Sequence, residues 1–393
     1  MTADALHTIR IEGLFRTITP THISDVATNL RYEPSTGRVS RGSRSGFPVT
    51  GQRTLTYRMP DGEGEDLGYI QVPILPANGL RGRLRRAGAA EVEDALVARG
   101  LNLTWQAYQA MHCGAVTGTP DGSAPPLDEV RAIRNHLFMG LFGGGNRMTP
   151  SRLRVSTALP VLQGLIDLGA IPDAYADEAI PTTQWRRLME TLPIVRRDDL
   201  AQHLDPRAED IVADYDSVMH EQFLLDTARR AARVRAASPS ITDEMVTDDP
   251  PRGLRALSAI QVITPGTPFY VRFDARCTEA QAGLLVHALL RILRQENTGL
   301  GGKSAIGYGR FTHALTLSLD GETVDPFPGQ FEGTRLQLKS TLMVRLADAF
   351  ERELELIDPV VLDALVMAKR ATEEEQALPQ STRRKPKSTS GGA

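Results

Sequence analysis

Residues 299–311 read GLGGKSAIGYGRF. Glycines 299, 301, 302, 307 and 309 separate an apolar stretch upstream from an alternating one downstream. Upstream, Thr278 and Gln281 have the spacing of a capping box, which predicts a helix running to Gln295. Downstream, Phe311–Leu319 carries Leu315, Leu317 and Leu319 on one face, the period of a strand. Glycines permit positive φ and let backbone N–H groups approach a phosphate closely. Lys303, Ser304 and Arg310 add charge and a hydroxyl, and Tyr308 offers a ring for stacking. The order helix, loop, strand is the reverse of a dinucleotide or Walker loop, and no Gly-Lys-Ser/Thr closes the Walker spacing. A tight helix-to-strand connection with no ligand accounts for the glycines equally well.

Reading outward from that loop, Leu6–Arg16 alternates around Ile9 and Ile11 as a strand. Residues 17–68 are rich in Gly, Ser, Thr, Pro and Arg and predict a long loop with one hairpin. Tyr69–Leu75 is a short strand, and Asn78 is the expected N-cap of a helix over Gly79–Ala98. Further helices are expected over Thr104–Cys113 and Leu127–Phe142, then a strand over Leu153–Leu162. A polar insertion with helical patches such as Glu221–Ala237 precedes strands at Ala256–Ile263 and Phe269–Asp274. A charged helix over Leu342–Gln376 and a basic, low-complexity tail close the chain. Without the insertions the order is strand, helix, strand, strand, helix, strand. This is the α+β, ferredoxin-like (RRM-like) arrangement of the RNA-recognition motif. The expected organisation is a palm over 1–162 and 256–340, with a first-strand loop at 17–68 and a helical insertion at 99–150. A 163–255 insertion, a C-terminal helix at 341–378 and a disordered tail at 379–393 complete it.

The chain has 393 residues and a net charge of -3, so it does not coat nucleic acid with its whole surface. Its 45 basic residues are nearly all arginine, which suits forked phosphate contacts and stacking, although a GC-rich genome gives the same bias. Six arginines stand between Arg31 and Arg58 against the single acid Glu33, so positive charge is local, as in a groove. Cys113 and Cys277 match no disulfide framework or zinc spacing and are expected to be buried or half-buried thiols. No apolar run approaches the roughly 18 residues of a membrane helix, and no secretory signal opens the chain, so the expected compartment is cytoplasmic.

Two further segments point to anions. In ILPANGLRGRLRR (74–86), Asn78 opens a helix whose first turns carry Arg81, Arg83, Arg85 and Arg86, and a helix N-terminus among arginines is an anion site. Arg81 and Arg85, four apart, share a face. In FMGLFGGGNRMTPSRLRVSTALPV (138–161), a glycine turn with Arg147, Arg152 and Arg154 precedes a strand.

Together these segments resemble the RAMP superfamily, and within it the Cas-seven group of backbone subunits of class 1 CRISPR effectors. The resemblance rests on Pro76–Gly82, Phe142–Ala158, the PGTPF turn at Pro265–Phe269 and the loop at Gly301–Arg310, in that order, with THIS at 21–24. It implies a palm, a helical insertion and a thumb within 163–255. It also implies copies stacked head to tail along a crRNA, with a large subunit, a guide-handle-binding subunit and target DNA or RNA as further partners. The long insertion and arginine-rich first loop are most similar to the type IV backbone subunit. The RNA contacts it implies are His22, Arg38, Arg41, Arg44, Asn78, Arg81, Arg85, Arg147, Arg152, Lys303, Ser304, Tyr308 and Arg310. No cofactor, metal or membrane is expected.

Type III relatives that cut target RNA place an aspartate two residues before a Pro-Val pair. Here Gly46 occupies that position in RSGFPVT, which predicts a subunit that binds without cleaving. Asp25 is the nearest substitute, and turn residue is its plainer role. His112, His136, His220 and His287 are scattered, and His22 is expected to touch RNA rather than to catalyse. The alternatives are a type III-like target-RNA endonuclease, and a phosphate-binding or interaction module unrelated to RNA.

Overall fold

A computed structural model describes residues 5–25, 29–41, 46–59, 68–115, 126–198, 254–294, 299–327 and 340–367. Arg44, the Glu221–Ala237 patch, the tail and most of the 163–255 insertion lie outside the described residues.

The palm is one antiparallel sheet. Its order is β13–β12–β1–β11–β7, from β1 (His7–Thr17), β7 (Leu153–Val155), β11 (Pro268–Cys277), β12 (Phe311–Leu319) and β13 (Glu322–Pro326). A two-residue strand, β8 (Leu159–Pro160), also pairs with β11. With β7 and β8 as the second strand, this is the ferredoxin-like order expected from the sequence, and the fold is α+β. Alternation works as predicted: Ile9, Ile11 and Phe15 of β1, and Phe269, Val271 and Phe273 of β11, are buried on one face.

Helices α1 (Ala77–Ala98) and α6 (Glu279–Arg294) pack on that face. The Thr278–Gln281 capping box is formed reciprocally, with N–H to side-chain distances of 3.4 and 3.3 Å. Eleven of the 16 residues of α6 are buried, because α4 (Leu137–Phe142) and α7 (Thr341–Glu355) cover its other sides. Each fully buried Leu or Phe here stabilises the fold by about 1.5–3 kcal/mol.

Several boundaries differ from expectation. The first helix is capped by Pro76, whose fixed φ suits the position, and Asn78 is its exposed second residue. The stretch 127–142 forms two helices, α3 (Leu127–Asn135) and α4, which meet at His136. Its extended backbone caps α4, and its Nδ1 accepts the N–H groups of Phe138 and Met139. The C-terminal helix breaks at Asp358, which caps α8 (Pro359–Val366), with Pro359 as its first residue. Cys277 is buried, but Cys113 is exposed at the end of α2 (Trp105–Cys113).

The largest difference lies in the insertions. Strand β10 (Leu254–Ile263), expected in the palm, pairs over its length with β9 (Met189–Asp198) in a second sheet. The Pro265-Gly266 turn, with Gly266 at φ +86°, separates β10 from β11, so consecutive strands serve different sheets. The first-strand insertion supplies β2 (Leu30–Glu33), β3 (Arg38–Arg41) and β4 (Phe47–Thr50) to the same second sheet, with β4 parallel to β10. Two insertions far apart in sequence thus build one sheet. A smaller hairpin of β5 (Thr54–Arg58) and β6 (Tyr69–Pro73) joins residues 159–188 in a second apolar cluster. That cluster covers Leu14 and Tyr270, one end of the palm sheet's other face.

Candidate nucleic-acid interface

The start of α1 and the glycine-rich loop, joined by a contact between residues 216 positions apart, meet in one pocket of about 640 Å³. Pro76, Gly79, Leu80, Arg83, Arg86 and Ala87 line it from α1, at the i, i+3, i+4, i+7 spacing of one helical face. Gly299, Leu300, Gly301 and Ser304 line it from the loop, and Arg291 from the end of α6. No side chain caps the N-terminus of α1 and no acid stands in its first turn, so its positive end is unneutralised. Exposed Arg86 lies on the pocket wall, and Lys303 and Arg310 are exposed on the same loop.

The glycines of the loop work differently from a phosphate nest. The N–H groups of Leu300, Gly302, Gly309 and Arg310 donate to Gly309 O, His22 O, Pro20 O and Thr19 Oγ1. At Gly301 (φ +82°) a Cβ would lie 2.2 Å from His22 O, and at Gly309 (φ +79°) 2.0 Å from Leu300 O. Glycine is needed so that the loop can dock on residues 19–22. The loop therefore offers side chains to an anion: Lys303 in a left-handed conformation, Ser304, half-exposed Tyr308 and Arg310.

The arginines of α1 divide by face. Arg85, expected to touch phosphate, is 6% exposed, and its guanidinium donates to the carbonyls of Ala110, Met111, Phe142 and Gly143 at 2.7–2.9 Å. It neutralises the C-terminal ends of α2 and α4 and lies over the Phe138 ring. Burial, then neighbouring Arg81, lowers its pKa to about 10, partly offset by Cys113. Arg85 is a structural cation, and the α1 arginines that line the pocket are Arg83 and Arg86, neither of which is among the contacts expected from the sequence. Arg83 donates to Gly299 O and so joins helix to loop; burial, then Arg86, lowers its pKa. The missed signal was the small pair Gly88-Ala89 with Val92, which marks the buried face of α1 and sets Arg85 upon it.

Other expected contacts also have structural roles. His22 is 2% exposed; its Nδ1 lies 2.7 Å from Gln261 O and its Nε2 3.0 Å from Ser24 Oγ. Burial lowers its pKa, the Gln261 bond opposes this, and Lys303 adds to it, so His22 is a neutral brace. Arg147 forks onto Glu129 at 2.6 and 3.3 Å and is nearly buried, which removes it from an RNA surface. In the 143–148 turn the Gly144 N–H donates to Thr149 O and the Asn146 N–H to Val366 O. Arg152 donates to Gln281 at the start of α6, beside the β7 edge of the palm sheet, and does not line the pocket. Arg38 and Arg41 are exposed on β3, the edge of the second sheet. Arg81 is partly exposed beside the pocket-lining face.

Gly46 has φ +85°, and a Cβ there would lie 2.5 Å from Tyr32 O, so a side chain cannot enter without moving the strand pair. Asp25 is paired with Arg53 at 3.0 Å. Among the described residues no group of three His, Cys, Asp or Glu side chains is arranged to hold a metal ion, and no helix is long and apolar enough to cross a membrane.

A comparison with curated sequences finds no match. Among solved structures, the chain is similar to one in a Type IV-B CRISPR complex, at 15% identity and TM-score 0.41, covering 84% of this chain and 95% of that one. It is also similar to one in the type III-B Cmr-beta complex bound to cognate target RNA, at 9% identity and TM-score 0.32; 80% of this chain and 61% of that one are covered. The family model of the RAMP superfamily matches residues 14–312, from within the first palm strand through the glycine-rich loop to the start of β12, and the chain belongs to that superfamily.

Proposed function

We propose that this chain is a guide-RNA-binding backbone subunit of a CRISPR effector ribonucleoprotein that holds RNA for pairing and does not cut it. The carrying observation is the pocket that joins the unneutralised start of α1 to the glycine-rich loop, with Arg86 on its wall and Lys303 and Arg310 beside it. Membership of the RAMP superfamily supports the reading. Phosphates would sit between α1 and the loop, so binding is sequence-tolerant and falls steeply with salt. Copies stacked along the guide, together with other effector subunits, complete the proposed assembly. The head-to-tail contact does not close on itself, so guide length sets its extent.

Binding without cleavage is supported by the lack of room for a side chain at position 46 and by the ion pair of Asp25. Cleavage needs a positioned base or a metal-bound nucleophile, and each contributes orders of magnitude in rate.

The test is the RNA content and RNA affinity of the full chain. Replacing Arg86 and Lys303 by alanine is expected to lower affinity for single-stranded RNA about tenfold or more and to reduce the salt slope by about 1.4. Unchanged affinity and slope overturn the groove. Incubating assembled complex with complementary labelled RNA and magnesium should leave the target intact. Regular cleavage products lost in Asp25→Ala would establish the endonuclease reading instead.

A further inference from the structure

The palm sheet has a second face, and its chemistry is unlike that of the pocket. Opposite the side that packs on α1 and α6, the strands present Thr8 and Arg10 from β1 and Arg272, Asp274 and Arg276 from β11. With Arg154 of β7, residues 150–152 just before it and Arg134 near the end of α3, they line a groove of about 770 Å³ at the β7 edge of the sheet. Six arginines converge there: Arg10, Arg134, Arg152, Arg154, Arg272 and Arg276. Asp274 is the one carboxylate in the lining, bonded to Arg10 at 2.8 Å and to Arg272 at 2.6 Å. Arg134 and Arg152 are held by Pro150 O and Gln281. Arg154 and Arg276 are exposed and have no carboxylate partner among the described residues.

Such crowding is unfavourable in the empty protein. Burial, then Arg134, and in smaller measure Arg276, push the Arg152 pKa down, against the opposing effect of Cys277. Cations held together against one acid gain most from a ligand with several regularly spaced negative charges. The lining contains no aromatic residue, so it offers no ring on which a base could stack, unlike an RNA-recognition motif that reads bases on this face. Guanidinium forks suit phosphate oxygens.

We propose that this open sheet face is a second nucleic-acid site, which takes the phosphodiester backbone of a single strand without reading its bases. It shares no lining residue with the α1–loop pocket and does not depend on the reading given to that pocket. The strand is either a further stretch of the RNA held in the pocket or a separate one, and both present the same phosphates.

The test uses the full chain freed of nucleic acid and a labelled oligo-uridylate of about 30 nucleotides, with affinity followed by anisotropy across a salt series. Arg154→Glu/Arg276→Glu is expected to keep the wild-type melting temperature, to weaken binding about tenfold or more, and to lower the salt slope by about 1.4, two phosphates' worth. Affinity and slope within twofold of wild type overturn the proposal. Loss in Arg86→Ala/Lys303→Ala with none in the sheet-face variant overturns this site alone and leaves the pocket standing; the reverse removes the pocket and leaves this site. Poly-glutamate displacing oligo-uridylate as well as RNA of equal charge would assign the groove to an acidic polypeptide and overturn the nucleic-acid reading. RNA retained on purification distinguishes the strands: its loss from the sheet-face variant identifies the same RNA, and its retention with loss of complementary-strand capture identifies a second strand.

Discussion

Arg85 and Arg86 are neighbours on α1 with opposite roles. The Arg85 guanidinium is enclosed by four helix-terminal carbonyls, whereas Arg86 lies exposed on the wall of a pocket. One residue turns the side chain by about 100° around the helix, which separates the interior from the groove. A run of arginines in sequence is therefore a mixture of structural and ligand-binding groups, and helical phase sorts them.

The sharpest way to break this comparison is to remove each arginine separately. Arg85→Ala leaves four carbonyls buried without a donor and is expected to cost roughly 3–5 kcal/mol. Thermal unfolding should fall by about 10 °C, or soluble protein should be lost. Arg86→Ala should melt within about 1–2 °C of wild type while RNA affinity falls. Equal melting temperatures for the two variants would contradict the assignment of Arg85 to the interior.

A smaller effect is expected from acid, because α4 is held at both ends. Arg85 binds its C-terminal carbonyls, and His136 accepts two N–H groups at its start, which requires an unprotonated Nδ1. Burial lowers the His136 pKa to about 4. The folded value lies below the ordinary value of about 6.5, so the unfolded chain takes up the proton first. Stability from this group is complete above pH 6.5 and declines as pH falls toward 4, by at most about 3 kcal/mol. His22 and His287, also lowered by burial, act in the same direction. In His136→Asn, whose amide oxygen can still cap α4, melting temperature should depend less steeply on pH between 7 and 4.5. An unchanged slope would remove His136 from this account.

The smallest effect is expected on the second sheet. Arg38 and Arg41 lie on its edge, away from both grooves. Replacing both by alanine should change RNA affinity less than about threefold, with a change in salt slope below that of Arg86→Ala/Lys303→Ala. A larger change measured by anisotropy would extend the RNA path across the first-strand insertion.

The sequence by itself determined the palm. Ile9 and Ile11, the Thr278–Gln281 capping box and the leucines of β12 are local patterns whose period states both the element and its buried face. Their order left one sheet arrangement, and four motifs in sequence pointed to the superfamily. A glycine at position 46 is legible in the sequence, but the clash with Tyr32 O that excludes a side chain there is not. Only the tertiary structure decided where β10 belongs, because alternation specifies a strand without naming its partners. Tertiary structure likewise decided which arginines are free. Charge is visible in a sequence, but whether a guanidinium meets carbonyls, a carboxylate or open solvent depends on elements as far as 264 residues away. For that reason Arg85, Arg147 and His22 have structural roles that the sequence does not announce, while the grouping of Arg83 and Arg86 with the glycine-rich loop, and of Arg152 and Arg154 with the other arginines of the open sheet face, is visible only in the folded chain.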